Sequence, residues 1–288
     1  MTTTKPVSSS VMTSSRRHFL KLSGALAAAS ALPFSVQAHD HSPSIGLQLY
    51  TLRDMMAISV PATLELVAAA GYNEVEFAGY YNHTPKQIRR LLSDNGLSAP
   101  ATHIMLDDFN DGPQKVIDHA LEVGHQYVVV PYLTEAQRGT TLKAYLELAE
   151  QLDRWGSTLR QAGLTLGYHN HDFEFERRDG QLPYDVLLNN TDSNNLTMEM
   201  DLYWMEKAGQ DPLAYFKQHP GRFALWHVKD MDEAGEFADV GTGTIDFARI
   251  FAHAGQAGVK HRFVERDHTD DRLRTITQGA KALRALSQ

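Results

Sequence analysis

Residues 141–171 read TLKAYLELAEQLDRWGSTLRQAGLTLGYHNH. Apolar side chains recur at helical spacing from Thr141 to Ala162, Gly163 ends that helix, and Leu164 to Asn170 follows as a short apolar strand that runs out into His171. A helix closed by glycine and followed at once by a strand is half of a β/α repeat. The same order recurs on both sides of it. Strands are expected at Ile45–Tyr50, Val75–Phe77, Ser98–His103, Tyr127–Pro131, Leu164–Asn170, Leu196–Asp201, Phe223–Lys229 and Arg262–Glu265. Helices are expected at Pro61–Ala70, Pro85–Asp94, Gln114–Val123, Thr141–Ala162 and Asp271–Leu286, with Gly71, Gly96, Gly124 and Gly163 as their stops. Eight rounds without a Pro/Ser-rich linker or charged block between them predict an α/β fold, a single-domain (β/α)8 TIM barrel.

The N-terminus is a different kind of segment. Arg16-Arg17 precede a modest apolar stretch from Leu22 to Phe34, and Val36-Gln37-Ala38 supplies small residues before a cleavage point. This pattern reads as a twin-arginine signal over residues 1–38, followed by a short connection at 39–44 and the barrel at 45–288. The export machinery is then a transient partner and the periplasm the destination. The apolar run is too short for the roughly 20 residues of a spanning helix, so no stable membrane insertion is expected. With no cysteine in the chain, any metal must sit on oxygen and nitrogen. A formal charge of −8 without a long basic run argues against nucleic acid and favours a small neutral substrate. Whether the protein forms a homo-oligomer is left open.

Barrel enzymes carry their chemistry at the C-terminal ends of the strands. Here those ends are rich in imidazole and carboxylate: Gln48-Leu49-Tyr50, Glu76, His103, His169-Asn170-His171, Glu199-Met200-Asp201, His227-Val228-Lys229-Asp230 and Glu265-Arg266-Asp267. Residues two apart on a strand share a face, which sets His169 with His171, Glu199 with Asp201, His227 with Lys229 and Glu265 with Asp267. A lone carboxylate or histidine at such a place is as readily a helix cap or a loop residue. Agreement across four strands points to a divalent metal.

The segments Gly167-Tyr168-His169-Asn170-His171, Met200-Asp201-Leu202-Tyr203-Trp204, Trp226-His227-Val228-Lys229-Asp230, Gly241-Thr242-Gly243-Thr244-Ile245-Asp246-Phe247 and Phe263-Val264-Glu265 resemble the xylose isomerase-like sugar isomerase and epimerase superfamily. Tagatose-type epimerases of that superfamily bind one divalent metal through Glu, Asp, His and Glu. The resemblance therefore implies Asp201, His227 and Glu265 as ligands, with His169 in place of the first glutamate. Imidazole can still bind metal and move protons, but a symmetric exchange between two carboxylates does not follow. Inosose dehydratases of the same superfamily are also similar in their histidine-rich fifth strand, and their reaction is an elimination.

These residues give the expected site. Metal ligands are His169, Asp201, His227 and Glu265; catalytic residues are Glu265 as base, His169 and Lys229; substrate contacts are Glu76, His103, His171, Tyr50 and Trp204. Mn²⁺ is placed first as cofactor, because folding before export allows selection by availability, with Zn²⁺ and Co²⁺ as alternatives. Lys229 also reads as a surface lysine paired with Asp230, and Tyr50, Tyr168, Trp204 and Trp226 read either as sugar-stacking platforms or as core. The expected activity is metal-dependent sugar isomerisation or epimerisation by proton abstraction beside a carbonyl. The alternatives are β-elimination from a keto sugar or 3-keto-glycoside, and sugar binding without turnover. A nuclease of the endonuclease IV type is disfavoured, since Trp204 and the segment Ala238-Asp239-Val240-Gly241 lack the extra histidines of its multi-metal site.

Overall fold

The computed structural model describes residues 44–287. The expected signal and most of the connection after it lie outside the described residues. Eight parallel strands close into a barrel: β1 (Gly46–Gln48), β2 (Glu74–Phe77), β3 (Ser98–His103), β4 (Tyr127–Val130), β5 (Thr165–His169), β6 (Leu196–Asp201), β7 (Leu225–Val228) and β10 (His261–Val264). Neighbours in sequence are neighbours in space, and β10 pairs with β1 to close the ring. A two-stranded hairpin, β8 (Asp230–Met231) with β9 (Phe237–Ala238), interrupts the repeat after β7.

The expected helices match within a residue, at Val60–Ala69, Pro85–Asp94, Gln114–Val123, Leu142–Gln161 and Arg272–Leu286. Gly71, Gly96, Gly124 and Gly163 all have positive φ, the left-handed geometry that ends a helix at little cost for glycine. Gly156 has a different task. A Cβ there would collide with the backbone carbonyl of Asn195, so glycine lets the long helix Leu142–Gln161 lie directly against the start of β6.

Of the four strands that are shorter than expected, β1, β4, β5 and β7, the first and last shape the site. After Gln48 the chain turns into a short 3-10 helix, Leu49–Leu52, because the Gln48 side chain accepts the Tyr50 N–H at 2.9 Å. Tyr50 thereby leaves the barrel wall for the rim. β7 ends at Val228, which frees Lys229 from the strand.

Inside the barrel the side chains change character along the axis. Glu74 and His261 pair at 2.8 Å at the N-terminal end, and Ala101, Val129, Leu225 and Phe263 make an apolar plug above them. Polar residues fill the C-terminal end. Outward-facing side chains pack under the helices: Trp226 stacks on Phe216, and Tyr168 is fully buried. These two aromatics are core residues, which removes them as stacking platforms for a sugar.

Candidate metal centre

The four expected ligands come from adjacent strands and converge. His169, Asp201, His227 and Glu265 are all buried, and each offers a donor atom within 4.8 Å of the others. Bonds of about 2.0–2.3 Å to one ion place ligand atoms at separations of this order. Neighbouring groups orient the donors. His169 Nδ1 donates to the Pro131 carbonyl at 3.1 Å, so its Nε2 lone pair faces the cluster, buried and without a hydrogen-bond partner. Asn170 accepts the backbone N–H of Asp201 at 3.1 Å and so ties β5 to β6 at the level of the site.

His227 could belong to either of two groups, since Glu76, His103, Glu199 and His227 also converge. With Nε2 as the protonated nitrogen, its contacts favour the first group. Nε2 donates to Glu76 Oε2 at 2.7 Å, which leaves Nδ1 facing Glu265 Oε2 at 2.9 Å and Asp201 Oδ2 at 3.9 Å. An unprotonated Nδ1 opposed to carboxylates requires a cation between them, either a proton or a metal. Without metal, burial disfavours the imidazolium, but Glu199 and Glu265 overcome that and hold the His227 pKa well above its ordinary value.

Lys229 is the next feature, and its partners differ from Asp230. The ammonium is buried and lies 3.0 Å from Asp201 Oδ2, 2.8 Å from Glu265 Oε2 and 3.0 Å from Asp267 Oδ1. Burial lowers the lysine pKa, yet these three carboxylates raise it further, to a net position well above the usual range. Burial likewise pushes Asp201 up, but Lys229 and the imidazoles of His169 and His227 hold it at about 2. Asp230 instead accepts N–H groups from Met231, Gly241 and Gly243 at 2.8, 2.9 and 2.9 Å, and pins the loop after the hairpin. Five carboxyl groups, Glu76, Glu199, Asp201, Glu265 and Asp267, thus surround a single ammonium and His227. That imbalance fits a divalent ion.

The expected substrate contacts divide into two sets. Tyr50, His103 and His171 line a cavity of about 530 Å³ that opens above the cluster, together with His169, Lys229 and Glu265. Glu76 does not reach the cavity: it lies beneath it, accepting from Gln48 at 2.8 Å and from His227. Trp204 stands behind the wall, packed on His171 with ring centroids 5.3 Å apart and 5.6 Å from the Lys229 ammonium. Glu199 is fully buried, accepts from His103 Nε2 at 2.7 Å, and does not line the cavity either. It therefore supplies no second carboxylate to replace the one lost at position 169. Asp267 does line the cavity, and burial with the charge of Glu265 raises its pKa. Its parity with Glu265 was the sequence feature that could have marked it.

Behind His171 lies a further buried acid. Glu174 accepts the Tyr168 hydroxyl at 2.6 Å and the His171 N–H at 2.8 Å, and burial raises its pKa to about 7 despite both donors. A folded-state pKa above the unfolded value stabilises fully below the unfolded pKa, and the contribution is lost as pH rises through about 7. Glu174→Gln keeps the shape without the charge. It is expected to be more stable than the parent at pH 8 by on the order of 3 kcal/mol, with the gap closing at pH 4–5. Thermal melts of both proteins across that range check this, and a pH-independent difference would be the contrary result.

A closed barrel whose mouth gathers His, Asp, His and Glu from consecutive strands defines the class to which this chain is assigned. The family model described as Xylose isomerase-like TIM barrel matches residues 64–286, and the chain belongs to that family. A twin-arginine translocation pathway signal sequence matches residues 13–33. Inosose dehydratase from Lacticaseibacillus casei is 24% identical over 250 residues, covering 73% of this chain and 83% of that protein. Among solved structures, a sugar phosphate isomerase/epimerase from Parabacteroides distasonis superposes with a TM-score of 0.77 at 26% identity, over 87% of this chain and 97% of that one. The IOLI protein, solved with a zinc atom bound, shares the fold with a TM-score of 0.63 at 14% identity, over 85% and 98% of the two chains.

Proposed function

We propose that this protein is a divalent-metal-dependent enzyme that removes the proton beside the carbonyl of a keto sugar and then eliminates an oxygen substituent from the β carbon. The observation that carries the reading is the convergence of His169, Asp201, His227 and Glu265, with His169 Nε2 buried and lacking a hydrogen-bond partner. A bound divalent ion supplies Lewis acidity that makes the neighbouring C–H removable. Mn²⁺ is the first choice, with Zn²⁺ and Co²⁺ behind it.

Glu265 takes the proton. Burial raises its pKa, but Lys229 and His227 bring the net position well below the ordinary value, so it is ionised and only weakly basic. A base held this low suits a C–H that a bound metal would acidify. The C–H electron pair passes first onto the carbonyl oxygen; on its return the carbon–carbon double bond forms and the C–O bond at the β carbon breaks. The departing oxygen receives a proton from Lys229 or Asp267, 3.0 Å apart beside the base, and leaves as water or an alcohol.

Elimination is favoured over epimerisation because position 169, where the tagatose-type pattern carries a glutamate to pair with Glu265, is an imidazole here, and the similarity to inosose dehydratase supports the same branch. Isomerisation is the second reading, favoured by the likeness to the Parabacteroides distasonis sugar phosphate isomerase/epimerase. Proton NMR in deuterated water tests both. Metal-loaded protein should exchange the α proton of a keto sugar and release an unsaturated product, whereas chelation should stop both. Exchange with an isomer as product selects the second reading, and tight sugar binding without exchange makes the protein a non-catalytic binder.

The twin-arginine segment supports export, and we place the working enzyme in the periplasm. Among the described residues no helix is long and apolar enough to cross a membrane. Replacing Arg16 and Arg17 together by lysine should leave the precursor in the cytoplasm in a cell-fractionation blot. An unchanged periplasmic yield would refute that route.

A further inference from the structure

The cavity has two unlike halves. The ends of β5, β7 and β10 supply His169, His171, Lys229, Glu265 and Asp267, while those of β1–β4 supply mainly Tyr50, Tyr80, Ile104, Met105, Pro131 and Tyr132, with His103 and Asp108 among them. Three of these are large apolar side chains left open to solvent, Tyr50 at 42%, Met105 at 41% and Tyr132 at 37%. Exposed apolar groups gathered on one cavity wall mark a binding surface, whereas scattered ones do not. Two of the rings are also fixed: the Arg53 guanidinium lies 4.3 Å from the Tyr50 ring centroid, and that of Arg138 lies 4.9 Å from the Tyr132 centroid.

Charge narrows the ligand further. Among the described residues Lys229 is the one lysine or arginine that lines the cavity, and Asp201, Glu265 and Asp267 already neutralise it. Asp108 adds another acid to the lining. A phosphate dianion would meet carboxylates here, because Lys229 is already paired and the guanidinium groups of Arg53 and Arg138 are held over the Tyr50 and Tyr132 rings and are not among the lining groups. The volume of about 530 Å³ lies within the range of sites that take drug-sized ligands.

We propose that the wall formed after β1–β4 is a subsite for a flat apolar substituent, so that the substrate is an aryl or similarly apolar glycoside carrying the keto sugar, and neither a free sugar nor a sugar phosphate. The sugar ring lies over the ionisable floor and the substituent lies among Tyr50, Met105 and Tyr132. This rests on the carbonyl chemistry above only for the placing of the sugar. In the elimination, the apolar substituent is then either the departing alcohol or the part retained, according to the carbon that bears it.

Unreactive probes separate the subsite from the chemistry. Phenyl and methyl glucopyranosides of both anomers, and glucose 6-phosphate, would be titrated calorimetrically into the metal-loaded protein. For at least one anomer the phenyl glycoside should bind tighter than the methyl glycoside by about tenfold or more, the scale expected for added apolar groups in a pocket. Glucose 6-phosphate should bind more weakly than the phenyl glycoside. Tyr132→Ala and Met105→Ala should each bring the phenyl-to-methyl ratio towards one, and both positions are exposed enough for the fold to survive. A ratio near one in the parent, no binding by either glycoside, tighter binding of the phosphate, or a ratio unmoved by both substitutions overturns the subsite. Failure of α-proton exchange with keto sugars, while the phenyl preference persists, would instead reject the chemistry and leave the subsite standing.

Discussion

Asp201→Ala is expected to lose the stoichiometric divalent ion and to lower turnover by more than about 10³-fold, the scale of several kcal/mol of Lewis-acid assistance. Asp201 Oδ2 is buried among His169 at 3.3 Å, Lys229 at 3.0 Å and His227 at 3.9 Å, so its removal opens the centre of the ligand set. Its other oxygen accepts the Trp204 N–H at 3.0 Å and caps the helix Leu202–Lys207. Alanine therefore also costs about 1 kcal/mol of capping. Asp201→Asn separates the two effects, because the amide oxygen can keep the cap while the anionic ligand is gone. Both variants should be metal-poor by elemental analysis of dialysed protein. An Asp201→Ala protein with one ion per chain and full activity would remove the metal centre from consideration.

In Glu265→Gln the exchange of the α proton should fall by about 10²–10⁴-fold, the usual range for a lost general base. The comparison with Lys229→Met gives this experiment its resolution. In the proposed reaction lysine enters after the proton has left, so its loss should spare exchange and slow the appearance of the elimination product. Exchange at the parent rate in Glu265→Gln with metal bound would show that another group is the base.

The lysine variant also has a signature in stability. In the metal-free protein Lys229 is the ammonium held between Asp201, Glu265 and Asp267, and removing one member of a buried charge cluster typically costs about 3–5 kcal/mol. The apo Lys229→Met protein should accordingly melt lower than the apo parent. Added metal should recover more of the loss than it adds to the parent, since it restores positive charge to the same carboxylates.

His227 and Lys229 illustrate how far a sequence can be read. Their spacing of two placed both on one face of a strand, and β7 with its extension does bring both to the same carboxylates. The partner of Lys229 could not be found that way, because Asp230 is adjacent in sequence but turned to the Gly241–Gly243 loop. Glu76 and Glu199 show the same limit in depth. Each stands at a strand end where an active-site acid is expected, yet both are enclosed under His103 and His227.

By itself the sequence determined the repeat, the barrel and the face on which the polar strand ends would lie. Those features follow from local rules: helical and two-residue periodicities, glycine as a helix stop, and the alternation of side chains across a strand. Only the tertiary structure decided which nitrogen of His227 is taken by Glu76, that Lys229 answers to three carboxylates, and that Tyr50, Met105 and Tyr132 share one wall. These are distances between residues far apart in the chain, set by ring closure and by where each loop leaves its strand, and no local pattern encodes them.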